Sequence, residues 1–199
     1  MIVKNLKKNK NKYIVTIDNT DYTFSENIIV KYRLVKGKEI DNQTLKSAIS
    51  ENDYDSLYLK AERYAINYRK SEKEIVRYLK NKECDNQTIQ KIVSKLRSLK
   101  LIDDSSLVID LANSLVKKYN GKKMIEAKLK EKGINDELID MALDNIDYDL
   151  YINYLEKLYL KVKDKYNKFD DDYIRINKIK AYLISRGYSY NDIALIKIK

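Results

Sequence analysis

The spacing of apolar positions changes character once along this chain. Near the amino end Tyr13, Val15 and Ile17 alternate with polar-facing positions, the turn-forming set Asp18, Asn19, Thr20 and Asp21 follows, and Tyr22 and Phe24 alternate again. Period-two alternation on both sides of a polar turn predicts a β-hairpin. A two-stranded hairpin is not stable alone, so it should pack against the apolar stretch from Ile28 to Leu34 and a further strand over residues 2 to 6. Gly37 marks a turn, and Asp41 is placed to cap a helix reaching about Asn52. Residues 1–52 therefore read as a small mixed β/α module.

From Tyr54 onward the period lengthens to that of helices. Between Ser105 and Tyr119, Leu107, Leu111 and Leu115 form one i, i+4 row with Val108, Ala112, Val116 and Tyr119 beside it, a stripe wide enough to face a core. The stretch from Tyr148 to Tyr166 does the same with Tyr151, Leu155, Leu158, Tyr159 and Val162. These tyrosines read as core and rim packing rather than as platforms for nucleobases.

The same pattern recurs down the chain. Ile75, Leu79, Cys84, Asp85, Ile89 and Val93 lie over Ile125, Leu129, Ile134, Asn135, Ile139 and Leu143 at a shift of 50 positions without a gap. A third copy follows at a further shift of 54, where Ile179, Leu183, Gly187, Tyr188, Ser189 and Ile193 meet Ile125, Leu129, Gly133, Ile134, Asn135 and Ile139. Each copy closes one helix and opens another. Gly133 and Gly187 can take the left-handed conformation that ends a helix, while Asp85, Asn135 and Ser189 offer side-chain oxygens to the next one. Glu83 stands in the glycine position of the first copy, where closure should be less tidy.

With a long helix ahead of each pair, over roughly 54–68, 105–119 and 148–166, the unit is three helices in about 50 residues. The expected fold is mainly α: three tandem three-helix repeats over 53–100, 101–146 and 147–199, forming an elongated curved body behind the amino-terminal module. A long concave surface of that kind suits a polymeric partner.

Composition narrows the chemistry. The net charge of +10 favours an anionic partner, nucleic acid first, although 30 acidic residues are interspersed and many lysines will be solvated helix faces. No apolar run is long enough for a membrane span, and the first eight residues lack the apolar core of a secretory signal, which points to the cytoplasm and away from a membrane partner. The single cysteine, Cys84, has no histidine in the chain to activate it or share a metal, and reads as a small, partly buried hydrophobe. Asp103 and Asp104 precede a helix and read as an N-cap and its neighbour. Asp170, Asp171 and Asp172 read as the acidic start of the helix carrying Ile174 to Ile184, and Gly121 as a lone glycine and not a phosphate loop. No nucleophile with a base, acid–base pair or cofactor fingerprint emerges, so the expectation is a binding protein without cofactor or metal, and not an enzyme.

The residues themselves resemble the RecX family. Leu101-Ile102-Asp103-Asp104, the helix start Gly121-Lys122-Lys123-Met124-Ile125, and Leu129 through Lys132-Gly133-Ile134 to Leu138-Ile139 and Ala142-Leu143 match the family's central repeat in order and spacing. Ala61, Tyr64 and Ala65, followed by Tyr68-Arg69-Lys70-Ser71-Glu72-Lys73-Glu74-Ile75, are similar to its basic-then-serine lead into a second helix. Tyr13 to Phe24 and Tyr32 to Glu39 resemble the extension found in RecX of Gram-positive-type bacteria, so the likeness covers nearly the whole chain.

The resemblance implies a monomeric regulator that lies along the groove of the RecA recombinase filament. It would contact single-stranded or duplex DNA directly or through that filament, lower ATP hydrolysis and strand exchange, and so tune recombination, DNA repair and the SOS response. The expected contact residues are Arg63, Arg69, Lys70 and Lys73 in the first repeat and Lys122, Lys123, Lys128 and Lys132 in the second. Two other readings fit the same pattern: a sequence-nonspecific DNA-binding protein acting without RecA, and a helical scaffold for some other protein.

Overall fold

In the computed structural model, which describes residues 1–167 and 169–196, the alternating segments pair as an antiparallel meander. Strands β1 (Val3–Asn9), β2 (Lys12–Ile17) and β3 (Thr20–Phe24) lie in the order β1-β2-β3. Val3 faces Ile17, Val15 faces Tyr22 and Tyr13 faces Phe24. With that register Val3, Val15, Ile17 and Phe24 are all buried, as period two demands of one sheet face. The β2–β3 turn is tighter than its composition suggests. Only Asp18 and Asn19 lie between the strands, Asp18 at φ 51°, while Thr20 and Asp21 belong to β3 and Thr16 Oγ1 donates to Asp21 Oδ1 at 2.7 Å.

The buried face of the sheet is closed by Ile28 and Ile29 of helix α1 (Glu26–Tyr32), by Leu34 and Ile40, and by Leu45 and Ala48 of α2 (Asn42–Tyr68). Here the structure departs from the expected stop near Asn52, because α2 runs unbroken for 27 residues. Nothing between Asn42 and Tyr68 is a glycine or proline, so no residue there ends a helix. Asn52 uses its side chain elsewhere: it accepts from Ser25 N–H at 2.9 Å and donates to Thr23 C=O at 3.3 Å, tying the helix to the β3–α1 junction. Glu51 accepts from Lys31 and, at 2.8 Å, from Tyr32 Oη.

Past Tyr68 the chain is helical: α3 (Glu72–Lys80), α4 (Asn86–Ser98), α5 (Asp104–Lys117), α6 (Lys122–Glu131), α7 (Asp136–Asp144), α8 (Tyr148–Tyr166), α9 (Asp172–Ser185) and α10 (Tyr190–Leu195). The caps are those expected. Asp85, Asp103, Asn135, Asp171 and Ser189 each accept from the amide three residues on. Gly133 and Gly187 are left-handed at φ 78° and 90°, and Glu83 takes the same conformation at 58°. A side chain there costs about 1 kcal/mol, the untidiness expected of the first copy.

Helices α5, α6 and α7 pack on one another, as do α8, α9 and α10. They share one core, in which Val108, Ala112 and Val116 of α5 belong with Ile125, Leu129, Ile139, Leu155 and Leu183. The protein is thus mainly helical with an amino-terminal three-stranded sheet. Backbone packing groups residues 1–63 with 84–92 as one unit, and 64–83 with the described residues from 93 on as another. Lys168 and residues 197–199, which the third repeat was expected to include, lie outside the described residues.

Candidate functional site

The candidate residues in the second unit are positioned by a joint that the repeat uses twice. Ser71 caps α3 in a complete capping box: its Oγ accepts from Glu74 N–H at 3.2 Å, and the Glu74 carboxylate accepts from Ser71 N–H at 3.0 Å. The hydroxyl proton goes to the Lys132 carbonyl at 2.7 Å, so the turn after α6 docks on the start of α3. Asp104 Oδ1 accepts from Glu72 N–H at 3.0 Å in the same place. Burial pushes the Asp104 carboxyl up from its ordinary value.

The turn after α9 docks on the start of α6 in the same way. Gly121 N–H donates to the Arg186 carbonyl at 2.9 Å and Lys123 N–H to the Gly187 carbonyl at 3.1 Å. Tyr151 Oη takes the place of Asp104, accepting from Lys122 N–H at 3.2 Å and donating to Asp192 at 3.1 Å. Arg186 fastens the joint by donating to the carbonyls of Tyr119 at 3.1 Å and Lys118 at 2.7 Å. These amides at the start of α6, where Lys122 and Lys123 oppose the helix dipole, are already taken by protein oxygens and offer no anion site.

The joints decide which cations point outward. Lys73 lays its aliphatic stem over Gly133. Arg69 pairs with Asp110 at 2.7 Å. Lys70 pairs with Glu74 at 3.0 Å and lies 5.2 Å from the Tyr64 ring centroid. Lys132 reaches the other oxygen of Glu74 at 3.4 Å. Burial alone would raise the Glu74 carboxyl, but the Ser71 amide and the two lysines outweigh it and hold Glu74 below its ordinary value. Lys123 is exposed at the start of α6, with Lys122 half-buried beside it, and Arg63 is exposed on α2 in the first unit.

Two of the eight, Lys128 and Lys132, are brought together in a cleft of about 480 Å³ between α3, α5 and α6. Leu111, Leu115 and Leu129 form its floor, and Arg77 and Lys118 complete a cationic rim. Arg77 and Lys118 escaped the sequence reading because they lie 41 positions apart and in different copies. No signal in the sequence marks them: the Leu107–Leu111–Leu115 row reads as uniformly apolar, and only the structure shows Leu107 buried and Leu111 and Leu115 partly so. Arg69 and Lys70 line a second groove of about 300 Å³ with Lys100.

Cys84 is half-buried, and burial pushes its thiol up, away from reactivity. Among the described residues no group of three or more Cys, Asp or Glu side chains is placed to hold a metal, and no helix is long and apolar enough to cross a membrane.

Set beside known proteins, residues 149–195 match the family model described as "RecX, third three-helix domain". The regulatory protein RecX of Clostridium acetobutylicum is 34% identical over 194 residues, covering 94% of this chain and 89% of that protein. RecX of Oceanobacillus iheyensis is 29% identical over 96% of this chain and 72% of its own. Among solved structures, a regulatory protein RecX superposes with a TM-score of 0.76 over 98% of both chains at 24% identity, a likeness of fold. RecX from Lactobacillus salivarius superposes at 0.64 over 73% of this chain and 94% of that one, at 28% identity.

Proposed function

Because the chain belongs to the RecX family of regulatory proteins, we propose that it binds RecA and the RecA–DNA filament and restrains the filament's ATP hydrolysis, strand exchange and SOS-inducing activity. The observation that carries this reading is the likeness to proteins named regulatory RecX along nearly the whole chain, not in one repeat. The chemistry is compatible with it. A binding role needs positioned cationic surfaces, and the two joints tie the starts of α3 and α6 by hydrogen bonds to the turns docked on them.

Arg63, Arg69, Lys70, Lys73, Lys122, Lys123, Lys128 and Lys132 remain the proposed contact residues, acting as a monomer in the cytoplasm. Many modest contacts along a polymer add through effective concentration, so no single residue need dominate. Lys123 and Lys128 are the better candidates for direct contact, both exposed on α6. Arg69 and Lys70 must first leave Asp110 and Glu74.

The test is the single-strand-dependent ATP hydrolysis of the RecA of the same host, titrated with the chain from well below one copy per protomer, with bare-DNA binding measured in the same buffer. A fall in turnover at substoichiometric amounts, under salt where bare DNA is not bound, is the expected result. Unchanged turnover, or a loss seen only when the chain coats the DNA, would replace this reading with a sequence-nonspecific DNA-binding protein. The net charge of +10 favours that alternative.

A further inference from the structure

We propose that the cleft between α3, α5 and α6 is a docking site for an acidic, leucine-bearing peptide segment of a partner protein. The floor and the rim call for different chemistry in one ligand. Leu111 and Leu115, partly exposed, lie one helical turn apart on α5, with the fully buried Leu129 of α6 beneath them, so the floor rewards an apolar side chain. Arg77, Lys118, Lys128 and Lys132 stand around it.

The rim's charge is only partly met from within. Glu74 is engaged with Lys70 and Lys132. Arg77, Lys118 and Lys128 have no ion pair among the described residues, and Glu131 is the one other carboxylate lining the cleft. An amphipathic segment with carboxylates flanking one or two leucines meets both demands, in the manner of a helix laid in a groove.

A nucleic-acid strand meets only one of them. Phosphates would use the rim, but no aromatic ring lines the cleft for a base to stack on. The nearby Tyr64 and Tyr78 are stacked on each other at 4.5 Å, and Lys70 sits over Tyr64. The leucine floor would be left against sugar and phosphate. The inference deepens the reading above and rests on it only in that the segment belongs to a protein.

The experiment uses the full chain and a fluorescein-labelled synthetic peptide of twelve residues, Asp and Glu throughout except for two leucines four apart, followed by fluorescence anisotropy. Controls are an all-glutamate peptide and a twelve-nucleotide oligothymidylate. The expected result is saturable binding of the leucine peptide, weakened about tenfold or more by Lys118→Glu with Lys128→Glu, and blocked by Ser114→Trp, which fills the cleft without altering rim charge. Circular dichroism of both variants should match the parent. Equal binding by the charge-reversed chain, no binding of the leucine peptide, or equal affinity for the all-glutamate peptide would each overturn the proposal. Cleft-dependent binding of the oligonucleotide in place of the peptide would overturn it in favour of a phosphate ligand. The ATP hydrolysis assay above is run in parallel, so inhibition of RecA without peptide binding removes this inference and leaves the family reading standing.

Discussion

The joint on α3 and the joint on α6 occupy the same place in successive copies of the repeat, yet they are closed by different means. At the first, a serine side chain bridges the two backbones, Ser71 Oγ to Lys132 C=O at 2.7 Å. At the second, Gly121 stands in the serine position, and the backbones themselves meet, amide to carbonyl at 2.9 and 3.1 Å. A hydroxyl spacer keeps the chains apart and leaves room for a Lys73 stem over Gly133. Direct backbone contact needs two glycines, and it puts Gly187 against Met124. One repeat position can therefore be specified by a polar side chain or by the absence of any side chain, and the two solutions should fail differently.

The sharpest way to break that comparison is to add one methyl group to the second joint. A Cβ on Gly121 would lie closer than 3.0 Å to the carbonyl carbon and oxygen of Gly187, and a Cβ on Gly187 closer than that to the Met124 backbone. Neither obstacle is a flexible side-chain end. Gly121→Ala and Gly187→Ala should each cost about 3 kcal/mol or more, read as a lowered urea midpoint, with Gly187 also strained at φ 90°. A loss under 1 kcal/mol for Gly121→Ala would mean that the backbones do not approach as described.

Ser71→Ala comes next. It removes a buried cap and strips the Lys132 carbonyl of its donor, so about 2 kcal/mol is expected in the same assay. Exchanging the residues sharpens the contrast. Ser71→Gly keeps an acceptable cap residue and should be milder than Gly121→Ser, which inserts a side chain where backbones touch. The reverse order would sink the distinction between the two joints.

Why one half of this architecture can be read from the chain and the other cannot follows from the range of the interactions. The repeat, the left-handed turns at Gly133 and Gly187 and the caps at Asp103, Asn135 and Ser189 are local, decided within a few residues of themselves, and all were legible. The continuous α2 was not. The polar run around Asn52 looks like a stop until Asn52 is seen bonding to Thr23 and Ser25, more than 25 positions away. Gly121 was legible only as a lone glycine, because what lands on it comes from residues 186 and 187. The same limit governs the candidate site. That Lys128 and Lys132 are basic is plain in the sequence, but their grouping with Arg77 and Lys118 over a leucine floor depends on how copies dock. The carboxylates that tie down Arg69 and Lys70 could be assigned only from the structure.

Gly133→Ala should have a smaller effect than any of these, about 1 kcal/mol. Its φ of 78° disfavours any side chain, and a new Cβ would meet Cδ, Cγ and Cβ of Lys73 closer than 3.0 Å. Rotation of the side chain clears the first two, and the Cβ, at 2.8 Å, has only a few tenths of an ångström to yield. Pairing the substitution with Lys73→Ala should recover the part of the clash due to Cγ and Cδ and leave the backbone strain and the Cβ contact in place. A loss as large as that of Gly187→Ala would show the first joint to be as tightly closed as the second.

The smallest expected effect separates the joints by charge. Glu74 serves the first joint twice, accepting from Ser71 N–H and pairing with Lys70 and Lys132, whereas Met124 holds the equivalent position in the second and cannot titrate. The Glu74 carboxyl is held below its ordinary value. Its ionised form therefore stabilises the fold at pH above the unfolded carboxylate range, near 4.3, and that contribution is lost as pH falls through the lowered folded value. Glu74→Gln keeps an acceptor for the Ser71 amide and removes only the charge. Urea unfolding of parent and variant at pH 7 and near pH 3 should show a gap at neutral pH, smaller than that of Gly133→Ala, which closes in acid. A gap that persists unchanged at pH 3 would mean that Glu74 acts through packing and its cap alone, and that the joints differ in geometry but not in charge.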